Sequence, residues 1–416
     1  MNKIAAPKGT GDIYFPEIGK WQYLEDKIRN YFSRFLYKEI RTPIFEHSEL
    51  FSRGIGSETD VVQKEMYTFQ DKAGRSLTLR PENTASVVRA AIENNLFNEM
   101  FPLRFFYIGP MFRYEKPQKG RMRQFHQFGI EVFADKSARV DAEVIYAAFN
   151  FLKEINLCGT EVEISSVGCG QCRPGFLEKL KTAAKEQEQE LCGECQRRIE
   201  TNPLRIFDCK NESCIKISAA FPKMIEHLCE ECDTHFAELQ TALQVLKVEY
   251  KINPRIVRGL DYYTKTAFEI TSGQLGAQNA VLGGGRYDNL SNELGGPDIV
   301  GTGFAAGMER IILHLQDIDR KQRKTILVAY QNPALLDHAL RLCETLWSSG
   351  IHAYMEYDAK NLKKQFKKGD RISADYTFIL GDEELQHNTI SVKDMKAREQ
   401  ITIKQEDLEQ WLKTNI

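Results

Sequence analysis

Hydrophobic and polar positions are most informative between residues 103 and 133. Residues 103–108 form an apolar and aromatic run suited to a buried strand. Gly109 and Pro110 are expected to break that strand or mark an edge. The interval 114–123 holds Lys116, Pro117, Lys119, Gly120, Arg121 and Arg123 and is too charged to bury. Alternation resumes over 124–133: Phe125, Gln127, Gly129 and Glu131 share one parity, His126, Phe128, Ile130 and Val132 the other. The pattern predicts two antiparallel strands joined by a basic loop. One face would present Arg113 and Glu115 on the outgoing strand and Gln127 and Glu131 on the returning one. Such groups are costly to desolvate unless a ligand pairs with them.

Before this hairpin, Trp21, Leu24, Ile28, Tyr31, Phe32 and Phe35 recur at three- and four-residue steps, predicting an amphipathic helix over 18–36. Ile40, Ile44 and Phe45 predict a strand around Pro43, at an edge because proline cannot donate to a ladder. Residues 67–69 and 77–80 read as a hairpin, followed by a helix over 85–92 that Pro81 and Glu82 introduce. A helix over 141–152 and a strand over 161–166 follow. Residues 169–245 are helical, polar and rich in Lys, Glu and Gln, and interrupt the sheet pattern like an inserted domain. The pattern returns with a strand pair over 256–270, then three glycines, Gly283 to Gly285, which allow close backbone approach to a ligand. A strand from Gly301 then runs into a helix carrying Arg310. After a basic linker, 321–324, strands and helices alternate, predicting a small α/β domain with a mainly parallel sheet.

A chain of 416 residues exceeds a single core. Its net charge of −2 gives no global attraction to nucleic acid, so any such contact must come from local patches. The lysines 360, 363, 364, 367 and 368, with Arg371, cluster around one helix in the C-terminal part, which suits either a phosphate backbone or a solvated helix face. No apolar run approaches the ~20 residues of a membrane span, and the first residues lack a signal-peptide pattern. A soluble, cytoplasmic chain with no membrane contact is expected, where the ten cysteines favour metal or free thiols over disulfides. Eight of them form pairs: Cys169/Cys172, Cys192/Cys195, Cys209/Cys214 and Cys229/Cys232. Two thiolates at such spacings reach one tetrahedral zinc. The competing reading is reduced thiols packed between helices, and four pairs favour the metal. Cys192, Cys195, Cys209 and Cys214, with 13 residues between the pairs, are the expected ligands of a structural Zn2+. Cys169, Cys172, Cys229 and Cys232 flank the block as a second candidate set, and spacing alone leaves one site or two open.

FRYE, the loop and RMRQFHQFGIEVF resemble motif 2 of class II aminoacyl-tRNA synthetases, and the longer stretch is similar to the histidyl-tRNA synthetase family. KGTGDIYFPE, TLRPENTASVVRA, QRRIETNPLRIFDCK, RGLDYYT and GGGRYDNL resemble further segments of that family. The helix, strand and proline near Pro43 resemble motif 1, and GTGFAAGMER resembles motif 3. These occur in the family's order and span nearly the whole chain. The cysteine pairs are not part of its pattern.

The resemblance implies an α+β catalytic domain on an antiparallel sheet, in two parts, 1–167 and 251–320. A helical insertion, 168–250, separates them, and an α/β anticodon-binding-like domain, 321–416, follows. It implies activation of L-histidine by ATP and transfer to tRNA(His), with Mg2+ on the phosphates and a homodimer formed through motif 1. Carboxylate attack on the α-phosphate builds up negative charge, so the site needs fixed cations. Arg113 and Arg258 are the implied catalytic pair, Arg121 and Arg310 hold the outer phosphates, and Glu115 and Phe125 hold adenine. Glu131, Tyr262, Tyr263 and Tyr287 are implied around the imidazole, Glu82, Thr84 and Gln127 at the ammonium end, and Lys116 with Gln118 at the tRNA acceptor. The rival is a synthetase-like regulatory subunit of a histidine-biosynthetic phosphoribosyltransferase, which binds histidine without charging tRNA. Such proteins usually lose motif arginines and the C-terminal domain, both retained here.

Overall fold

Residues 3–56, 59–118, 120–273, 280–315, 324–358 and 361–416 are described by a computed structural model. Lys119, residues 321–323 of the basic linker, and Lys360 lie outside them. The chain divides into two compact units, Met1–Asp317 and Ile318–Ile416.

The first unit is built on an eight-stranded sheet. Its strands are β1 (Lys38–Glu39), β5 (Leu103–Phe112), β6 (Gln124–Ala134), β7 (Thr160–Ser166), β8 (Tyr250–Ile252), β9 (Thr264–Ser272), β10 (Ala280–Tyr287) and β11 (Val300–Gly307). They are ordered β1-β5-β6-β11-β10-β9-β7-β8. The six inner strands are antiparallel, and β1 and β8 pair parallel at the two edges. A small antiparallel sheet is formed by β2 (Phe45–His47), β3 (Tyr67–Gln70) and β4 (Ser76–Leu79). The helix Ile18–Ser33 buries Trp21, Leu24, Ile28, Tyr31 and Phe32, the stripe its periodicity predicts. It ends three residues short of expectation, and Leu36 adopts a left-handed conformation.

Three strand expectations are corrected and one is narrowed. Of the break or edge expected at Gly109 and Pro110 the edge is found, since β5 pairs through to Phe112 with Pro110 opposite His126. The neighbour β1 reaches only Phe105 and Phe106, so Pro110 sits where β5 is an edge and needs no ladder N–H; its carbonyl accepts from Arg80 Nε instead. Arg113 and Glu115 consequently lie beyond the strand rather than on its face. The strand around Pro43 is two short strands in different sheets, with Pro43 in the break between them. Of the predicted strand pair only one strand forms, Thr264–Ser272; the RGLDYY segment is irregular.

Residues 169–245 form helices Arg173–Glu186, Gly193–Thr201, Glu212–Ser218 and Glu230–Val245. Their apolar core has Phe176, Leu180, Leu191, Ile199, Ile206, Phe207 and Phe221 packed around buried Cys195 and Cys214. In the second unit, β12 (Thr325–Tyr330), β13 (His352–Met355), β14 (Tyr376–Leu380), β15 (Thr389–Asp394) and β16 (Gln400–Lys404) are ordered β13-β12-β14-β15-β16. The first three are parallel and the last two antiparallel, a mixed rather than mainly parallel sheet. The link between β14 and β15 is shorter than the dozen or so residues a parallel crossover requires.

Candidate active site

The register of β6 carries the site. Gln127 and Glu131 fall on one face, and β11 runs beside them with Gly303 opposite Glu131 and Gly307 opposite Gln127. An alanine Cβ at Gly303 would lie 2.1 Å from Glu131 Oε2, so the glycine is what leaves room for that carboxyl group. Glu131 has no exposed surface and receives hydrogen bonds from Thr84 Oγ1 at 2.7 Å and the Tyr287 hydroxyl at 2.5 Å. Burial pushes its pKa up to about 8, against the two hydrogen bonds and with the nearby charge of Glu82 adding to the rise.

Thr84 opens the helix Thr84–Glu93. Glu82, also buried, accepts from the backbone N–H groups of Thr84 (2.6 Å) and Ala85 (3.0 Å), so its carboxylate sits at the helix N-terminus. Tyr262 and Tyr263 come from the irregular segment before β9, with ring centroids 4.7 Å apart, and Tyr262 lies 5.6 Å from the Tyr287 ring. The six residues expected around histidine's ring and at its carbon-chain end, other than Gln127, thus form one buried, carboxyl- and hydroxyl-rich cluster.

Beside it opens a cleft lined by Arg113, Glu115, Arg121, Phe125, Gln127, Arg258 and Arg310 among the predicted residues. The Arg113 guanidinium lies 5.4 Å from the Phe125 ring and donates through Nε to the Pro81 carbonyl. Arg121 pairs with Glu115 at 3.0 Å across the hairpin loop. Arg310, in the first turn after β11, donates to the Ala280 carbonyl at 2.6 Å, and burial with Arg121 nearby lowers its pKa. Arg258 pairs with Glu269 at 2.7 Å and lies 5.4 Å from the Tyr263 ring. Two polar atoms facing this region, Gln127 Oε1 and Arg258 Nε, are buried without a partner among the described residues. Four arginines against two glutamates in the lining suit a polyanion.

Lys116 and Gln118 are exposed on the loop between β5 and β6 and do not line the cleft. The glycine run makes room for the protein's own groups, and Gly283 also lines the cleft: a Cβ at Gly283 would meet Arg258 Nη1 at 2.2 Å, and one at Gly284 the Gly303 carbonyl at 2.1 Å. Sequence reasoning missed Glu269, which anchors Arg258, and Glu309, which accepts from the His126 backbone N–H at 2.8 Å and meets its ring at 3.0 Å. Glu269 faces the parity opposite to apolar Phe268 and Ile270 on β9, a signal present but not used. It also missed the buried Asp141–Arg286 pair beneath β10, whose partners are 145 residues apart and share no local pattern.

The cysteine pairs gather into two groups of four, Cys169, Cys172, Cys229, Cys232 and Cys192, Cys195, Cys209, Cys214, each with its sulfurs within 4.8 Å of one another. No described helix is long and apolar enough to cross a membrane.

The histidyl-tRNA synthetase family profile matches residues 9–201 and 211–311, and an anticodon binding domain profile matches 325–415. The chain is 48% identical over 404 residues to a histidine–tRNA ligase of Halothermothrix orenii, covering 96% of both chains. It is 47% identical to one of Desulfitobacterium hafniense, covering 98% of this chain and 97% of that one. The apo structure of S. aureus histidyl-tRNA synthetase superposes with a TM-score of 0.81 at 35% identity, over 98% of this chain and 99% of that one. The chain belongs to the histidyl-tRNA synthetase family.

Proposed function

We propose that the chain is a histidine–tRNA ligase, which activates L-histidine with ATP and transfers it to tRNA(His), releasing AMP and diphosphate. The observation that carries this reading is the junction of two environments at Arg258, which lines the cleft and lies over the Tyr263 ring: a cleft lined by four arginines and a buried cluster of carboxyls and hydroxyls. The first suits a triphosphate, the second an imidazole with an ammonium group.

Arg113 and Arg258 stabilise charge at the α-phosphate and the attacking carboxylate, while Arg121 and Arg310 hold the outer phosphates. Adenine stacks on Phe125, with Glu115 at its edge. Glu131, Tyr262, Tyr263 and Tyr287 read the ring, and Glu82, Thr84 and Gln127 the ammonium. Glu309, in the cleft lining, offers a hard oxygen donor of the kind that suits Mg2+, which would screen the phosphates. Lys116 and Gln118, exposed beside the cleft, meet the acceptor end of tRNA. Exposed Ile44, Phe45 and Phe69 form an apolar surface at the motif 1 region, which supports a homodimer there. The reaction is cytoplasmic, and the domain division expected from the sequence, with 168–250 as an insertion, accompanies this reading.

The regulatory-subunit alternative is tested together with the site by histidine-dependent ATP–pyrophosphate exchange. The parent chain is expected to exchange and to charge tRNA(His). Arg258→Ala is expected to lose about 10²–10³ of the exchange rate, as for loss of one transition-state donor. It also leaves the half-buried Glu269 without its cation, so folding is checked by thermal unfolding. No exchange by the folded parent favours the regulatory protein; near-parent exchange by Arg258→Ala removes that residue from the chemistry.

A further inference from the structure

Eight cysteines lie outside everything the reaction uses, and the fold sorts them into two closed tetrads. In the first, Cys169 and Cys172 follow β7 and open the helix Arg173–Glu186, while Cys229 and Cys232 open the helix Glu230–Val245. These are the first turn of the inserted segment and the first turn of its last helix, 60 residues apart in sequence. Their sulfur separations are 3.8 Å for Cys169 to Cys172, 3.7 Å for Cys169 to Cys229 and 3.9 Å for Cys172 to Cys232. In the second, Cys192 and Cys195 open the helix Gly193–Thr201, and Cys209 and Cys214 arrive from beyond a short turn, with Cys192 and Cys209 sulfurs 3.8 Å apart.

These distances select among the chemistries open to clustered thiols. A disulfide holds its sulfurs at about 2.0 Å, far closer than any of these pairs. A tetrahedral ion with metal–sulfur bonds of about 2.3 Å sets its sulfurs about 3.8 Å apart. A multi-iron cluster spreads its four cysteines beyond the 4.8 Å that contains each tetrad. The sulfurs also accept backbone N–H groups: Cys172 from Cys169 (3.2 Å), Cys169 from Gln171 (3.4 Å), Cys214 from Cys192 (3.2 Å) and Cys209 from Asn211 (3.4 Å). Such donors favour thiolate over thiol and fix its direction, as the outer shell of a metal site does.

We propose that each tetrad binds one Zn2+, the second tetrad stabilising the insertion internally and the first clamping its entry to the start of its last helix, next to the catalytic sheet. Four thiolates leave no open position, so both ions are structural. The clamp adjoins the proposed histidine pocket through the backbone. Arg173, beside Cys172, donates to the carbonyls of Val167 and Tyr263, and Lys265 donates from its backbone to Gly168 and from its side chain to Glu231. The segment bearing Tyr262 and Tyr263 is therefore tied to the two strands of chain that the ion joins.

The full chain, purified without chelator, is analysed by elemental mass spectrometry and by native titration with a thiol reagent. Two zinc per chain are expected, with the eight paired cysteines unreactive until chelator is added while exposed Cys158 reacts at once. Cys169→Ser and Cys192→Ser are each expected to lose one zinc. If those variants do not fold, the parent chain produced with cobalt in place of zinc decides by the absorption of tetrahedral cobalt thiolate, at an intensity matching two sites. One metal per chain overturns the second assignment. Less than one, with all eight thiols reactive, or iron in place of zinc, overturns the proposal.

Discussion

A carboxyl group with no exposed surface, set between Tyr287 and Thr84 and near Glu82, keeps its proton at neutral pH, because burial raises the pKa of Glu131 from 4.5 to about 8. In the unfolded chain the same group ionises near its ordinary value. Between the two, the folded state binds more protons, so Glu131 makes stability fall as pH rises from about 4.5 to about 8. Glu131→Gln keeps the shape and an acceptor but cannot ionise. Its thermal midpoint is expected to decline less than the parent's between pH 5 and pH 8, measured by calorimetry on the ligand-free protein. Parallel declines would mean that Glu131 is already ionised in the folded state. The residue was legible in the sequence because two-residue alternation puts it on Gln127's face. Its partners were not: Thr84 and Tyr287 lie 47 and 156 residues away, and only the resemblance linked them.

At the scale of elements, paired strands were legible wherever alternation was sustained and illegible where aromatic content stands without it. The segment 256–263 has the aromatic content of a strand, yet it is irregular, since Arg258 and Tyr263 must turn toward the cleft and the pocket. The hairpin of β5 and β6 was legible despite Pro110, because an edge position excuses the missing donor. The insertion's helices were legible from composition, but its core of Phe176, Phe207 and Phe221 was not, those residues being scattered singly among charged ones. The neighbour relation of β6 and β11 yields a prediction. Gly303→Ala places a methyl 2.1 Å from Glu131 Oε2 and 2.2 Å from the Ile130 carbonyl, in a sheet that cannot yield at the backbone. Overpacking of this kind costs about 1–3 kcal/mol, visible as a lower thermal midpoint. Displacement of Glu131 is expected to raise the histidine KM of the exchange reaction by about tenfold or more, as for loss of a buried hydrogen bond, and leave the ATP KM within about twofold. Equal rises in both KM values would place Glu131 outside the histidine pocket.

For the molecule as a whole, a net charge of −2 cannot attract tRNA, so binding must depend on where the cations are held. The second unit has its own core, with Ile326, Val328, Phe378, Leu346 and Ile390 buried, and its helix Leu362–Arg371 presents Lys363, Lys364, Lys367 and Arg371 to solvent. Lys368 on the same helix is partly engaged, 3.7 Å from Glu356 and over the Tyr354 ring, which leaves the other four for an anionic partner. Gln365, fully buried, bonds both the N–H and the carbonyl of Tyr330 and fixes which face of the helix turns outward. Replacing Lys363, Lys364 and Lys367 together with alanine keeps that anchor and helix propensity while removing three charges. If the helix holds the phosphate backbone, the tRNA KM of aminoacylation rises severalfold and the dependence of binding on salt becomes shallower by roughly 0.7 for each lysine–phosphate pair removed. Histidine-dependent pyrophosphate exchange, which needs no tRNA, is expected to be unchanged in the same preparation. An unaltered tRNA KM and salt slope would assign the helix to a solvated face and leave tRNA selection to other surfaces.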